Sequence, residues 1–154
     1  MTAAIHAILE HPGFPQPKAW WKEDFGPQHT IIEEGDASRD VFLIERGVVR
    51  INKAVEIGPD EEMQSGLLEL SAGDTFGELN LFGTTSRIAS VVALSQTVLV
   101  HIDGNALTQF MDRYPELGYP LLKEFFIKHA DLLRQANYRL SGLYADRLRH
   151  TGVD

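Results

Sequence analysis

The 154-residue sequence contains no cysteine, which excludes a disulfide framework, a thiolate nucleophile and a zinc site with cysteine ligands. It also lacks an unbroken apolar run long enough to span a bilayer, and its first residues, MTAAIHAILEHPGFPQPKAW, have no basic start of the signal-peptide type. Positive charge is scarce too, since 14 Lys and Arg stand against 22 Asp and Glu and give a net charge of -8. Such a chain repels nucleic acid phosphates and anionic membranes. We therefore expect a soluble, cytoplasmic protein that binds neither DNA nor membranes directly.

Signatures of catalysis and of metal binding are also missing. The six histidines are scattered, and no His-x-His or His-x-x-x-His pair favours a metal site. The nucleophile-elbow pattern Gly-x-Ser-x-Gly is absent. His101, in the run VLVHID, is interpreted as an ordinary sheet residue. Neither an enzymatic activity nor a metal is expected.

The chain length suits one domain over residues 1–154, and the composition divides it into three parts. Residues 2–10 are compatible with a short helix, and the prolines that follow break regular structure. Residues 1–25 are therefore predicted to form a helical and irregular strap, with Trp20 and Trp21 as aromatic anchors. Short runs rich in Val, Ile and Leu predict a β domain over residues 26–103, and helical spacing follows over residues 104–150.

Two stretches of the β domain lead to specific predictions. The run VFLIERGVVRI, residues 41–51, has Gly47 at its centre and apolar residues in alternation on both sides. This pattern predicts two antiparallel strands that reverse near Arg46 and Gly47. The run GPDEEMQSG, residues 58–66, is interpreted as an exposed loop.

The C-terminal part predicts two helices. A short one, Asn105 to Arg113, opens near Asp103 or Gly104, and a long one runs over residues 116–149 with Pro115 in its first turn. The long helix would extend roughly 50 Å. Its apolar seam alternates steps of four and three and comprises Leu122, Phe126, His129, Leu133, Ala136, Leu140 and Leu143. The seam fits either the same helix of a second subunit or packing against the chain's own β domain, and the helix length favours the homodimer.

The stretch FGELNLFGTTSRIASV, residues 76–91, combines residue types that suit a phosphorylated sugar. Gly77 permits a tight turn, and one helical turn over Leu79 to Phe82 would direct amide groups at an anion. Arg87 offers planar paired donors for a phosphate, whereas Glu78 can accept hydrogen bonds from sugar hydroxyls. The alternative is that Glu78 and Arg87 form an ordinary salt bridge on a loop.

A resemblance spread along the chain favours the first interpretation. The segments that carry it are EEGD (33–36), VFLIERGVVRI (41–51), SAGDTFGELNLFG (71–83), RIASVVA (87–93) and DRYPEL (112–117), followed by the long helix. Over about residues 25–140 the chain resembles the cyclic nucleotide-binding domain family, which includes the bacterial catabolite activator protein and the regulatory subunits of cyclic AMP-dependent protein kinase. The resemblance implies a mainly β fold, an antiparallel β-roll of the jelly-roll type, followed by a short helix and a long C-terminal helix.

The resemblance also implies a ligand site. Residues 77–90 match the family's phosphate-binding cassette, in which the position of Glu78 binds the ribose 2′-OH and that of Arg87 binds the cyclic phosphate. Backbone amides matching Gly77, Asn80, Ile88 and Ala89 complete the cradle. The candidate ligand-binding residues are thus Gly77, Glu78, Leu79, Asn80, Arg87, Ile88 and Ala89.

The position after the cassette arginine separates the two nucleotides. Relatives that prefer cyclic GMP often carry Thr or Ser there, whereas this chain carries Ile88, so cyclic AMP is expected over cyclic GMP. Ile88 and Asn80 both depart from the small residues usual at their positions. The residue that covers the base is not assigned by the resemblance, and the candidates by position are Leu132, Leu133, Asn137, Tyr138 and Tyr144.

These observations support a regulatory module that binds cyclic AMP and signals through its C-terminal helix to a second subunit or to an unknown protein effector. Two alternatives stay open: an interaction-only domain that binds no nucleotide, and the sensor fragment of a longer transcription regulator. The presence of both Glu78 and Arg87 favours nucleotide binding.

Overall fold

The computed structural model describes residues 2–83 and 85–151, and it contains eight strands and three helices in that part of the chain. The strands are β1 (Trp20–Phe25), β2 (Thr30–Ile32), β3 (Val41–Arg46), β4 (Val48–Gly58), β5 (Glu61–Ser71), β6 (Thr75–Phe76), β7 (Ser90–Ala93) and β8 (Thr97–Ile102). The helices are α1 (Thr2–Leu9), α2 (Gly104–Arg113) and α3 (Pro115–His150), and one 3₁₀ turn covers Glu78–Asn80.

The strands form two antiparallel four-stranded sheets, in the orders β1-β8-β3-β6 and β2-β7-β4-β5. Apolar side chains from the facing surfaces of both sheets fill the inside of the roll, where the Phe42 and Phe76 rings stack 5.0 Å apart. The outer face of the first sheet is covered by α1, α2 and the start of α3, and this explains why β3 is buried on both faces. The predicted β-roll with flanking helices is confirmed.

The N-terminal strap is predicted correctly only in part. The expected short helix is present as α1, but Trp20–Phe25 is strand β1, paired in register with β8 from Trp20↔Ile102 to Phe25↔Thr97. The strap prediction is therefore wrong for these residues, and the roll begins at Trp20. The polar residues of WWKEDF do not indicate a strand by themselves, because they are stabilised by partners in the sheet. Glu23, for example, binds His101 of β8.

Gly47 separates two strands, as expected, but β3 and β4 do not form a hairpin. β3 pairs with β6 and β8, whereas β4 pairs with β5 and β7 in the other sheet. The chain changes sheets at Gly47, whose φ is 105°. A Cβ atom there would lie 2.5 Å from Thr97 Oγ1, so the corner requires glycine. The predicted reversal within one sheet is wrong, because the alternation of apolar residues indicates which side chains are buried but not which strands pair with each other.

The exposed loop predicted over residues 58–66 is also wrong. β4 and β5 form a hairpin whose connection is only Pro59 and Asp60, and Asp60 has a φ of 60°. The outer part of this ribbon extends beyond β7, which pairs with β4 only from Val49 to Asn52. The described side chains along the outer ribbon are mostly exposed, among them Val55, Ile57, Glu62 and Leu67, so no alternation of buried apolar residues marks it as a strand.

Both C-terminal helices are confirmed. Asp103 caps α2 by accepting a hydrogen bond from the Ala106 amide at 2.8 Å, and Pro115 occupies the first turn of α3. At 36 residues, α3 is about 54 Å long. No described helix is long and apolar enough to cross a membrane.

Only the first part of α3 packs on the rest of the chain, through Leu121 and Phe125. The predicted seam divides accordingly: Leu122 and His129 are half-buried, whereas five members are exposed, namely Phe126, Leu133, Ala136, Leu140 and Leu143. Packing of the seam against the chain's own β domain is therefore wrong for those five residues.

Candidate functional site

The candidate cassette starts where β6 ends. Gly77 has a φ of 90°, and a Cβ atom on it would lie 2.7 Å from the Asp40 carbonyl oxygen and 3.0 Å from Arg87 Nη1. Only glycine fits this backbone without strain. The helical turn that follows covers Glu78–Asn80, one residue earlier than the predicted turn over Leu79 to Phe82.

Asn80 stabilises the cassette from within. Its amide N–H donates to the Gly77 carbonyl at 3.3 Å, so that donor is engaged in the turn. Its side-chain Nδ2 donates to the Thr85 carbonyl at 2.8 Å, and its Oδ1 accepts from Arg87 Nη1 at 3.3 Å. Asn80, a departure from the family pattern, thus ties the cassette loop to Arg87. The loop contains residue 84, which lies outside the described residues.

Glu78 is 7% exposed and is held by two basic side chains of α3. Its Oε1 accepts from Lys128 Nζ at 2.6 Å and from His129 Nε2 at 2.9 Å, and Lys128 also donates to the Thr75 carbonyl. Burial alone would raise the pKa of Glu78, but the His129 hydrogen bond and the Lys128 charge lower it to about 2. The carboxylate is therefore ionised at neutral pH. Its other oxygen, Oε2, is buried and has no hydrogen-bond partner in the part of the chain that the structure describes.

Arg87 is 3% exposed, and protein oxygens surround its terminal nitrogens. Nη1 donates to the Gly77 carbonyl at 2.7 Å, and Nη2 donates to the Asp40 carbonyl at 2.6 Å and to Ser38 Oγ at 3.3 Å. Nε is buried and has no hydrogen-bond partner within residues 2–83 and 85–151. Burial lowers the pKa of Arg87, and nearby carboxylates led by Asp40 oppose this shift, so the guanidinium remains charged.

Glu78 and Arg87 do not form the ordinary surface pair considered as the alternative. In the described part of the chain no ion pair joins them, and both side chains are buried with partners of their own. The salt-bridge interpretation is wrong. Each residue instead has one polar atom without a hydrogen-bond partner among the described residues, and both residues border the same region.

That region is a cavity of about 270 Å³ beneath α3. All seven candidate residues line it: Gly77, Glu78, Leu79, Asn80, Arg87, Ile88 and Ala89. Its other walls are mainly apolar side chains of the second sheet, among them Ile51 and Leu68, together with Leu132 of α3. The cavity also borders the basic residues Lys53 of β4 and Lys128 and His129 of α3, and the rest of its wall is mainly apolar. Its volume is just below the range of about 300–1,000 Å³ usual for small-molecule sites.

Lys128 and His129 are the site residues that sequence reasoning missed. His129 is assigned to the seam by its spacing, and nothing in the spacing marks Lys128. In the sequence, these two residues stand out only as a pair of adjacent basic residues. Residue spacing does not define how α3 docks on the roll, so it could not place this pair at the site. Within the described chain, no group of three or more His, Asp or Glu side chains is arranged to hold a metal ion.

The candidates for covering the base are separated by the structure. Leu132 lines the cavity. The other four are exposed on α3, namely Leu133, Asn137, Tyr138 and Tyr144. Tyr138 is 82% exposed, so neither it nor Tyr144 is a core residue of this chain.

Comparison with known proteins gives an independent view of the same region. The family model described as "Cyclic nucleotide-binding domain" matches residues 22–114. The "CRP-like cAMP-activated global transcriptional regulator" of Mycobacterium tuberculosis is 28% identical over 120 residues, which are 78% of this chain and 50% of that protein. "Cyclic GMP-binding protein C" of Dictyostelium discoideum is 33% identical over 97 residues, 61% of this chain and 4% of that protein.

Among solved structures, the Catabolite Activator Protein of Thermus thermophilus superposes with a TM-score of 0.66 at 25% identity and covers 80% of this chain and 55% of its own. The chain therefore spans half the length of the first of these curated relatives and about half of this structural neighbour. The matched residues include the whole candidate cassette and all of the roll except Trp20 and Trp21.

Proposed function

Because this chain belongs to the cyclic nucleotide-binding domain family, a regulatory and not a catalytic family, we propose that it binds cyclic AMP in the cavity between the cassette and α3. Binding is then transmitted through α3 to a second subunit or a protein effector.

One observation carries the proposal: Glu78 Oε2 and Arg87 Nε have no hydrogen-bond partner among the described residues, and they belong to residues that are more than nine-tenths buried and that line one cavity. A buried polar atom without a hydrogen bond costs about 1–3 kcal/mol, and more on a charged group. A carboxylate oxygen accepts hydrogen bonds and a guanidinium N–H donates them. A ligand with a hydroxyl group beside an anionic phosphate satisfies both, and the ribose 3′,5′-phosphate of a cyclic nucleotide has this arrangement.

The remainder of the cavity suits a planar base. Ile51, Leu68 and Leu132 provide apolar walls, and Leu132 is the residue of α3 in position to cover the base. Ile88 is 55% exposed at the cavity and offers no hydroxyl to a guanine amino group. This missing hydroxyl favours cyclic AMP over cyclic GMP. The names of the relatives include both nucleotides and do not decide between them.

The two oxygens of Glu78 connect the proposed ligand site to α3. Oε1 is bound by Lys128 and His129 of α3, whereas Oε2 has no hydrogen-bond partner among the described residues. A ligand hydroxyl on Oε2 weakens the attraction between this carboxylate and α3, because the same negative charge is then shared among more donors. Ligand binding thereby changes the equilibrium of α3 docking, which is the differential interaction that a conformational switch requires.

The exposed seam of α3 is the surface on which the change is read. Phe126, Leu133, Leu140 and Leu143 lie at heptad-like spacing and are uncovered in the single chain. We expect a second copy of α3 to pack against them in a homodimer. A protein effector on the same seam is the alternative.

The hydrogen bonds of Arg87 favour a second candidate function, an interaction-only domain. Four hydrogen bonds already engage the terminal nitrogens of Arg87, which suits a domain that keeps the fold for interaction and binds no nucleotide. With a net charge of -8, direct DNA binding by this part is not proposed, and service as the sensor part of a longer transcription regulator is the remaining alternative.

Calorimetric titration with cyclic AMP, cyclic GMP and linear AMP tests the proposal. Cyclic AMP should bind the wild type best, and Arg87→Ala should weaken it by tens-fold to several hundred-fold, since a charge-assisted contact with a buried phosphate is worth on the order of 2–4 kcal/mol. Arg87→Lys retains the charge without the planar fork and should weaken binding less. Arg50→Ala, which removes an exposed arginine paired with Glu69, is the matched control and should bind normally.

Three results would contradict the proposal. Failure of the wild type to bind any cyclic nucleotide would leave the interaction-only domain. Unchanged affinity in folded Arg87→Ala would remove the assigned phosphate contact. Equal affinity for cyclic AMP and cyclic GMP would overturn the argument from Ile88.

A further inference from the structure

The position of the Arg87 guanidinium depends on a segment behind the cassette. Nη2 donates to the Asp40 carbonyl at 2.6 Å and to Ser38 Oγ at 3.3 Å, and the next residue, Arg39, donates from Nε to the Leu81 carbonyl at 3.2 Å. Residues 38–40 therefore support the cassette from the side opposite the cavity. A shift of the Asp40 backbone would move the guanidinium with it.

The Asp40 side chain fixes that backbone. Its Oδ1 accepts from the amide of Gly104, the first residue of α2, at 2.9 Å, and its Oδ2 lies 2.6 Å from His101 Nε2. Burial alone would raise the pKa of Asp40, but the hydrogen bonds from His101 and Gly104 lower it below its usual value. The carboxylate thus connects the cassette arginine to β8 and to the start of α2.

His101 is enclosed by β1 on one side and by β3 with the preceding Asp40 on the other. Its ring stacks on Trp21 with centroids 4.2 Å apart and touches Phe42 at 4.5 Å. The charged groups that face it are Asp40 at Nε2 and Glu23, whose Oε1 lies 3.1 Å from Nδ1.

Both ring nitrogens therefore face a carboxylate oxygen. An imidazolium donates to both carboxylates, whereas a neutral imidazole donates to only one and presents a lone pair to the other. Burial by itself lowers the pKa of His101, but the hydrogen bond and charge of Asp40, with the charge of Glu23, raise it above its usual value. The protonated ring is the form that this arrangement stabilises.

We propose that His101 and Asp40 are positioning residues for Arg87, and that protonated His101 holds the guanidinium where it binds the nucleotide phosphate, so that nucleotide affinity falls as the pH rises. This inference rests on the proposed function. The sign follows from the geometry: the protonated ring donates to Asp40, and this support for the guanidinium is lost as the pH rises through the raised pKa of His101.

Calorimetry with cyclic AMP between about pH 6 and pH 8.5 provides the test. Wild-type affinity should fall by about three- to ten-fold over this range, because a hydrogen bond from a charged donor is replaced by a weaker one from a neutral donor or is lost. His101→Gln retains a donor for Asp40 without titrating, so part of the pH dependence should disappear. Glu23→Gln removes one of the two facing carboxylates and should move the midpoint to lower pH.

Controls separate this effect from other histidines. His129 contacts Glu78 in the site, so His129→Gln is measured in parallel, alone and combined with His101→Gln. His29 is exposed between β1 and β2 and provides the control substitution: His29→Gln should show the wild-type dependence of cyclic AMP affinity on pH. NMR titration of the His101 ring in the ligand-free protein needs no nucleotide and should give a midpoint above 6.5 that Glu23→Gln lowers.

The outcomes separate this inference from the proposed function. If the wild type binds no cyclic nucleotide anywhere in this pH range, both the proposed function and the positioning role fail. If it binds and His101→Gln and Glu23→Gln retain the wild-type pH profile, the proposed function stands and the positioning role is wrong. Unchanged cyclic AMP affinity in Asp40→Asn would overturn the role of Asp40 by itself.

Discussion

Replacing Glu78 by Gln removes the buried charge that joins the cassette to α3. The carboxylate is 7% exposed, and its Oε1 accepts from Lys128 at 2.6 Å and from His129 at 2.9 Å. These contacts lower the pKa of Glu78 from 4.5 to about 2. Because the folded-state pKa is the lower one, the stabilisation is present above pH 4.5 and is lost as the pH falls towards 2.

The magnitude follows from linkage. One pKa unit corresponds to about 1.4 kcal/mol, so the ionised carboxylate contributes roughly 3 kcal/mol to the free energy of unfolding at neutral pH. At about pH 3.5, one unit below the ordinary value, about 1.4 kcal/mol of this should be lost. Glu78→Gln should lose most of the 3 kcal/mol at pH 7 and should lack this part of the acid dependence.

Urea denaturation at several pH values between about 3.5 and 7 measures both quantities. Glu69→Gln, which breaks the exposed contact with Arg50, is the matched control and should change stability by less than about 1 kcal/mol. Lys128→Met combined with Glu78→Gln should be less destabilised than the sum of the single variants, because the double variant leaves no unpaired charge. Equal acid dependence in the wild type and Glu78→Gln would refute the reasoning.

Two further predictions concern the backbone and the seam. Gly77→Ala should lower Tm by roughly 3–10 °C, because Gly77 has a positive φ and an added Cβ atom would lie 2.7 Å from the Asp40 carbonyl oxygen. Gly35 has a φ of 95°, but an added Cβ atom would meet no atom within 4 Å, so Gly35→Ala should lower Tm less. Equal losses of Tm in a thermal melt would show that the steric contact does not contribute. Leu133→Lys with Leu140→Lys should convert the expected homodimer to a monomer, because like charges then occupy the helix seam, and should leave monomer folding intact since both side chains are exposed. Light scattering measures the mass, and a wild type that stays monomeric at high concentration would remove the dimer.

The sequence predicted the parts of the molecule that local chemistry determines. Asp103 and Pro115 mark the starts of α2 and α3 because capping and first-turn preferences act within a few residues. Glu78 and Arg87 were identified because an acid and a guanidinium suit one ligand at this spacing. The cavity that brings them together required the family resemblance, since residue types alone also allowed a surface ion pair.

What the sequence did not predict depends on contacts between distant segments. β1 was missed because the polar residue Glu23 is stabilised by His101, which lies 78 residues further along the chain. The outer β4–β5 ribbon was missed because most of its described side chains are exposed on both faces. Lys128 was missed because its role depends on how α3 docks on the roll. The helical periodicity of the sequence does not define that docking.

α3 has a first part that packs on the roll and a longer part that extends away from it. Lys128 and His129 lie near the end of the packed part, and 22 further residues extend from Lys128 to His150, a distance of about 33 Å. If ligand binding tilted a straight α3 by about 10° at these two residues, the far end would move by about 6 Å. The length of the exposed part thus determines how far a change of helix angle near Glu78 would displace the distal seam.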